Sequence, residues 1–322
     1  MRTITLEEHY ASPAFLEGPG RRLRELGGTP DNPRLLEELS DVGDRRVAAM
    51  DAAGIDVQVL TLTAPAVQQL EAPEAIRIAR ESNDYLAAAI KRHPERLAGF
   101  ATLPTAAPDA AAGELERMVR EHGFKGGHID GHTRGRYLDD RFFSPVLERA
   151  QQLDVPIYLH PTQPPQPVVD AYYSGFAPAV TNALSQYAWG WHIDTAVHIL
   201  RMIVGGTFDR FPRLQIIIGH MGEALPFMLQ RIDRSLPMSL TKLERPVVAY
   251  MRENVNYTFS GLNYTSTFLD LYLEVGADRI MFSADYPYSP MSQARGFLDR
   301  IPVSPADKEK IAHGNAERLL RL

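Results

Sequence analysis

Eight short runs rich in β-branched and apolar residues recur along the 322-residue chain, at residues 3–9, 56–63, 96–103, 124–130, 155–160, 214–220, 255–260 and 279–285. Helical segments separate most of them. Residues 72–93 carry Ile76, Ile78, Ala79, Tyr85, Leu86 and Ile90 at helical spacings. Pro108–His122 reads as a second helix, with proline in its first turn. Ser304-Pro305 ahead of Asp307 and Glu309 marks the start of a closing helix. Strand alternating with helix predicts a parallel sheet with right-handed crossovers, and eight strands close a (β/α)8 TIM barrel. An open doubly wound sheet is the structural alternative, but no glycine-rich nucleotide loop follows the first strand.

Length alone would admit two domains, yet α/β barrels commonly occupy about 250 residues or more as one. The expectation is a single barrel domain over residues 1–322. Two connections are long, residues 10–55 after strand one and 161–213 after strand five. The second opens His-Pro-Thr-Gln-Pro-Pro-Gln-Pro, a stiff stretch unsuited to helix. Long connections at that end of a barrel roof the active site and contact substrate.

Lys plus Arg total 34 and Asp plus Glu 40, so the net charge of −6 gives no bias toward nucleic acid, and no basic run interleaves with aromatics. No run of about 18 apolar residues is present to span a bilayer. The chain has no cysteine, which leaves histidines and carboxylates as the strong metal ligands. That composition suits a reducing compartment, and the N-terminus lacks the basic-then-apolar pattern of a signal peptide. A cytoplasmic protein is expected.

Ligand-type residues gather at the ends of these runs. Glu7 and His9 are one residue apart on the first strand, where alternation points both side chains the same way. His160 ends the fifth strand, His220 the sixth and Asp285 the eighth. A buried imidazole or carboxylate at the end of an apolar strand is costly unless paired, hydrogen-bonded or metallated. A barrel brings strand eight beside strand one, so these residues share one mouth. Histidines with carboxylates suit a divalent metal, zinc first and manganese as the alternative. Among the other histidines, His128 shares parity with Asp130 and is read as either a hydrogen-bonded supporting group or a core polar residue. His132 and His192 are read as loop residues, His198 as core, and His93, His122 and His313 as helix-end or surface residues.

The motifs Leu6-Glu7-Glu8-His9, Thr63-Ala64-Pro65-Ala66-Val67-Gln68, Gly123-Phe124-Lys125-Gly126, Tyr158-Leu159-His160-Pro161, Ile218-Gly219-His220-Met221-Gly222-Glu223, Gln230-Arg231-Ile232-Asp233 and Phe282-Ser283-Ala284-Asp285-Tyr286-Pro287 run in this order from residue 6 to 287. Together they resemble the amidohydrolase superfamily, and within it the metal-dependent aromatic acid decarboxylases, the branch of the γ-resorcylate and 2,3-dihydroxybenzoate enzymes. The resemblance covers essentially the whole chain. It implies one divalent metal held by Glu7, His9, His160 and Asp285, with His220 beside the pocket and Glu223 paired to it. By the same resemblance Arg231 contacts substrate, and a homodimer or homotetramer is expected. Asp130 stands where the resorcylate enzymes place asparagine, and is read with Trp191 as facing substrate. Glu-x-His in place of the His-x-His of hydrolytic relatives favours the decarboxylase branch.

The expected reaction is therefore decarboxylation of a small hydroxylated aromatic acid, ortho-hydroxybenzoate-like, by protonation of the ring carbon that carries the carboxylate. Asp285 is the expected proton donor, with His220 and Glu223 tuning charge around it. The runner-up is a hydrolase that opens a lactone or amide with a metal-activated water.

Overall fold

In the computed structural model, which describes residues 1–29 and 32–322, the eight expected strands are all present. They are β1 (Ile4–Tyr10), β2 (Val57–Leu62), β3 (Leu97–Gly99), β4 (Ala101–Thr102), β5 (Gly127–Asp130), β6 (Ile157–His160), β7 (Ile216–Ile218), β8 (Val255–Thr258) and β9 (Ile280–Met281). β3 and β4 are two halves of the third barrel strand. At Phe100 the pairing changes partner, from β2 on one side to β5 on the other. Every pairing is parallel. The ring closes where Leu6 bridges Ser283 and donates its N–H to the Phe282 carbonyl at 3.2 Å. The architecture is the (β/α)8 barrel that strand and helix alternation predicts.

Two apolar clusters follow the pleat of the strands. Ile4, Leu6, Val57, Val59, Ala98, Phe100, Tyr158, Ile217 and Met281 pack together, and Ala316 and Leu320 of the C-terminal segment join them. These positions alternate with Leu60, Leu62, Ile157, Leu159, Ile216 and Ile218, which belong to the larger cluster shared with the helices. The first set fills the barrel interior, and the second seats the outer ring. The interior set is also the floor on which the polar site rests.

Helix Ala72–Arg92 carries Ala75, Ile78, Ala79, Leu86 and Ala89 on its buried face, and ends one residue before the sequence expectation. Helix Pro108–His122 matches it at both ends and stops at Gly123, whose φ of 70° is the left-handed conformation that glycine takes without a Cβ clash. Ser304 caps the helix Pro305–Glu309 by accepting the Asp307 N–H. The connection after β6 departs from a purely extended course. Residues 161–165 are non-helical, but helix Gln166–Tyr172 begins with proline in its first turn, where a missing N–H costs nothing. Helices Pro178–Ser185 and Gly190–Val204 follow in the same connection. Among the described residues no helix is long and apolar enough to cross a membrane.

Candidate metal centre

Simple alternation does not set the direction of Glu7 and His9. Ile4 and Leu6 face the interior, so a regular strand would turn Glu8 inward next and put Glu7 and His9 outside. A bulge reverses this. Thr5 pairs with Gln58 and Glu8 with Leu60, so β1 spends one extra residue against β2, and Glu7 takes φ 64°. Beyond the bulge Glu7 and His9 point into the barrel mouth and Glu8 points out. Left-handed backbone recurs around the mouth: His220, Glu223 and Asp285 have φ of 48°, 55° and 66°. Non-glycine residues hold such angles only where their surroundings fix them.

Glu7 is fully buried and its two oxygens are treated differently. Oε2 accepts from the hydroxyls of Tyr158 and Ser260, and from Thr258 Oγ1 at 3.3 Å. Oε1 has no hydrogen-bond partner. It faces His160 Nε2 at 3.4 Å and His220 Nε2 at 3.8 Å. Burial lifts the Glu7 carboxyl to about 7, against the pull of His220 and His160. Gly219 makes the approach of the neighbouring strand end feasible, because a Cβ there would lie 2.5 Å from Glu7 Oε2.

His9 is buried with Nδ1 3.3 Å from Thr61 Oγ1. Its Nε2 lies 3.1 Å from Asp285 Oδ1 but makes no hydrogen bond of acceptable geometry. Burial lowers its pKa, so the ring favours the neutral form that ligates metals. Glu7, His9 and His160 bring ligand atoms within 4.8 Å of one another, with Asp285 against His9. Two buried lone pairs without donors, on Glu7 Oε1 and His9 Nε2 of β1, with His160 Nε2 and Asp285 Oδ1 brought beside them from two other strand ends, fit a divalent cation.

Asp130, expected to face substrate, is instead fully buried beneath the cluster and accepts from His160 Nδ1 at 2.8 Å. The register places it opposite His160 on the adjoining strand. That bond puts the His160 proton on Nδ1 and frees Nε2 for metal. Burial opposes charge on His160, but Asp130 and Glu7 outweigh it and raise its pKa. His128 lies behind, its Nδ1 3.5 Å from Asp130 Oδ2, and burial holds it down to about 3. Neither of its nitrogens makes a hydrogen bond, so of the two readings it is the core polar residue.

His220 donates from Nδ1 to Glu223 Oε1 at 2.8 Å. Burial alone would strip its proton, yet Glu223 and Glu7 reverse that and lift the pKa to about 10. Glu223 falls to about 2, since its two histidine neighbours overcome the burial that would raise it. The second neighbour is His192, a residue that sequence reasoning left among the loops. Trp191 is half-buried, with its ring centroid 6.3 Å from that of His160. Arg231 stands exposed on helix Leu225–Ser235 and makes no hydrogen bond or ion pair with the cluster.

Glu8 was also not singled out from sequence. Its outward carboxylate accepts the backbone N–H of Ala284 at 2.9 Å and of Tyr286 at 3.2 Å, the residues on either side of Asp285. Gln58 donates to it at 3.3 Å, and Arg46 reaches the His9 carbonyl at 2.7 Å. The strand carrying the ligands and the loop carrying Asp285 are thus tied together. A cleft of about 540 Å3 opens elsewhere, at the amino-terminal strand ends beside Arg213, Arg279 and Arg318. Chemistry rather than cavity size locates the site.

Comparison with known proteins gives the family. A family model described as amidohydrolase matches residues 25–322. The γ-resorcylate decarboxylase of Polaromonas sp. (strain JS666) is 40% identical over 99% of this chain and 98% of its own. A solved dihydroxybenzoic acid decarboxylase from Polaromonas sp. JS666, with bound manganese and the inhibitor 2-nitroresorcinol, is 39% identical with a TM-score of 0.90, covering 100% of this chain and 97% of that one. The 5-carboxyvanillate decarboxylase of Sphingomonas paucimobilis is 34% identical, with a TM-score of 0.91 over 100% of this chain and 99% of its own.

Proposed function

Since the chain belongs to the amidohydrolase family, we propose that its barrel mouth is a metal-dependent carboxy-lyase centre, which removes CO2 from a hydroxylated aromatic acid of the ortho-hydroxybenzoate kind. Glu7, His9, His160 and Asp285 are the residues that would hold one divalent ion. Held there, such an ion would supply Lewis-acid stabilisation of negative charge on an anionic substrate. Imidazole and carboxylate donors suit both zinc, our first assignment, and manganese, the alternative, which the Polaromonas structure holds.

Direct loss of CO2 would leave an electron pair in an aryl orbital perpendicular to the ring π-system. A proton delivered first to the carboxyl-bearing carbon avoids this state. The phenolic oxygen feeds electron density to that carbon as the C–H bond forms. When the C–C bond breaks, its electron pair restores the aromatic ring and CO2 departs. Asp285 carries the proton on its carboxyl group and regains one from solvent after turnover. His220, held cationic by Glu223, offers positive charge to the anionic substrate. Trp191 supplies an aromatic wall at the mouth.

The observation that supports this reading is the 3.1 Å approach of Asp285 Oδ1 to His9 Nε2, a buried nitrogen without a hydrogen bond, which brings a carboxyl group to the ligand cluster. Hydrolysis has less support, because relatives matched over nearly their full length are decarboxylases. A panel of ortho-hydroxybenzoates incubated with metal-loaded protein should yield CO2 and the corresponding phenols. Cleavage of lactones or amides with no CO2 from any acid would overturn the reading. Elemental analysis decides between zinc and manganese. A cytoplasmic homodimer or homotetramer completes the proposal, and light scattering on the purified protein tests the assembly.

A further inference from the structure

Two histidines share one buried carboxylate. Glu223 gives Oε1 to His220 and Oε2 to His192, whose Nδ1 is 2.6 Å away. His192 does not come from a strand end: it stands on helix Gly190–Val204, within the connection between β6 and β7. Its other nitrogen, Nε2, is 2.9 Å from Trp191 Nε1. An indole N–H can only donate, so Nε2 must accept, and the His192 proton sits on Nδ1, donated to Glu223. The Tyr187 carbonyl lies 3.1 Å from the same Nε2. Bonding it would need a proton on Nε2, and that proton would oppose the indole N–H. The tautomer that serves both Trp191 and Glu223 leaves His192 no free proton and no free lone pair for a substrate.

What His192 supplies is geometry. Its ring centroid is 4.5 Å from that of His220, and the Trp191 ring, held at its far nitrogen, reaches over to His160. A continuous chain therefore runs from the indole through His192 and Glu223 to His220. We propose that His192 is a positioning residue that locks the Trp191 indole across the mouth of the metal-ligand cluster while bracing Glu223 against His220. The idea that the locked indole faces a planar aromatic acid rests on the proposed function. The mechanical link between roof and dyad does not.

The chain has two tryptophans, so replacing exposed Trp189 by W189F leaves Trp191 as the sole reporter. In that background we compare His192→Ala with His192→Asn, whose amide can still donate to Glu223 but offers nothing at the Nε2 position. Acrylamide quenching of Trp191 in metal-loaded, substrate-free protein should accelerate in both variants. KM for an accepted aromatic acid should rise about 2- to 10-fold in both, the range that one lost hydrogen bond spans. kcat should fall further in H192A than in H192N, because H192N retains the brace on Glu223. Unchanged emission and quenching in folded H192A would overturn the proposal, as would equal kcat losses in the two variants. If quenching responds but no aromatic acid is decarboxylated by the parent protein, the link stands and the substrate reading fails.

Discussion

Replacing Asp130 by asparagine separates two roles that a carboxylate in this position could serve. Asp130 is fully buried and its Oδ1 lies 2.8 Å from His160 Nδ1, so its charge fixes the tautomer that presents Nε2 to the metal. An asparagine is nearly the same size but can turn its NH2 toward the ring and remove the charge-assisted bond. Loss of such an outer partner weakens metal binding about 10- to 100-fold, or roughly 1.4–2.7 kcal/mol. Competition with a chelating dye should show that loss directly, and saturating metal should restore most of the decarboxylase activity. Metal affinity equal to wild type, with the defect confined to KM, would refute the reasoning and return Asp130 to a substrate-facing role.

Three further outcomes are expected. Glu8→Ala leaves the Ala284 and Tyr286 N–H groups without their acceptor, and at about 1–3 kcal/mol for each unsatisfied group it should destabilise the fold by roughly 2–6 kcal/mol, readable by urea denaturation. Gly219→Ala drives a Cβ to within 2.5 Å of Glu7 Oε2 and 2.7 Å of Ser260 Oγ, and calorimetry should show metal affinity at least about tenfold weaker, with activity lost in proportion. Metal-free protein should be destabilised at both ends of the pH scale. His220, lifted from 6.5 to about 10, stabilises the fold fully below pH 6.5 and loses that contribution as pH rises toward 10, while Glu223, lowered from 4.5 to about 2, contributes above pH 4.5 and loses it as pH falls toward 2. Denaturation of apo His220→Gln should lack the decline between about pH 8 and 10, while the loss at lower pH from Glu7 and Glu8, which burial raises to about 7 and about 8, remains.

The barrel was legible because buried strands leave apolar runs and amphipathic helices leave a stripe, signals confined to neighbouring residues. Helix Ala72–Arg92 is recognisable for that reason. The bulge in β1 is not, since nothing local distinguishes Leu6-Glu7 from a regular strand; it exists because β2 and the Ser283 segment pull the two flanks into different registers. Glu7 and His9 therefore converge as expected, but for a reason that alternation does not contain. Glu8, which alternation opposes to its two neighbours, acquires its partners from residues 276 and 278 positions away. The pairing of Asp130 depends on strand register, which sets it opposite His160. His192 lay hidden for a related reason: its partner Glu223 is 31 residues distant on another element, and only folding the connection after β6 back over the mouth brings them together.

The most direct test of the account follows the proton. Metal-loaded protein turning over an ortho-hydroxybenzoate in D2O should release CO2 and leave a single deuterium on the ring carbon that carried the carboxylate, with Asp285→Asn folded but inactive. Product without deuterium at that carbon, solvent oxygen incorporated with no CO2 released, or full turnover by the Asp285→Asn variant would contradict it.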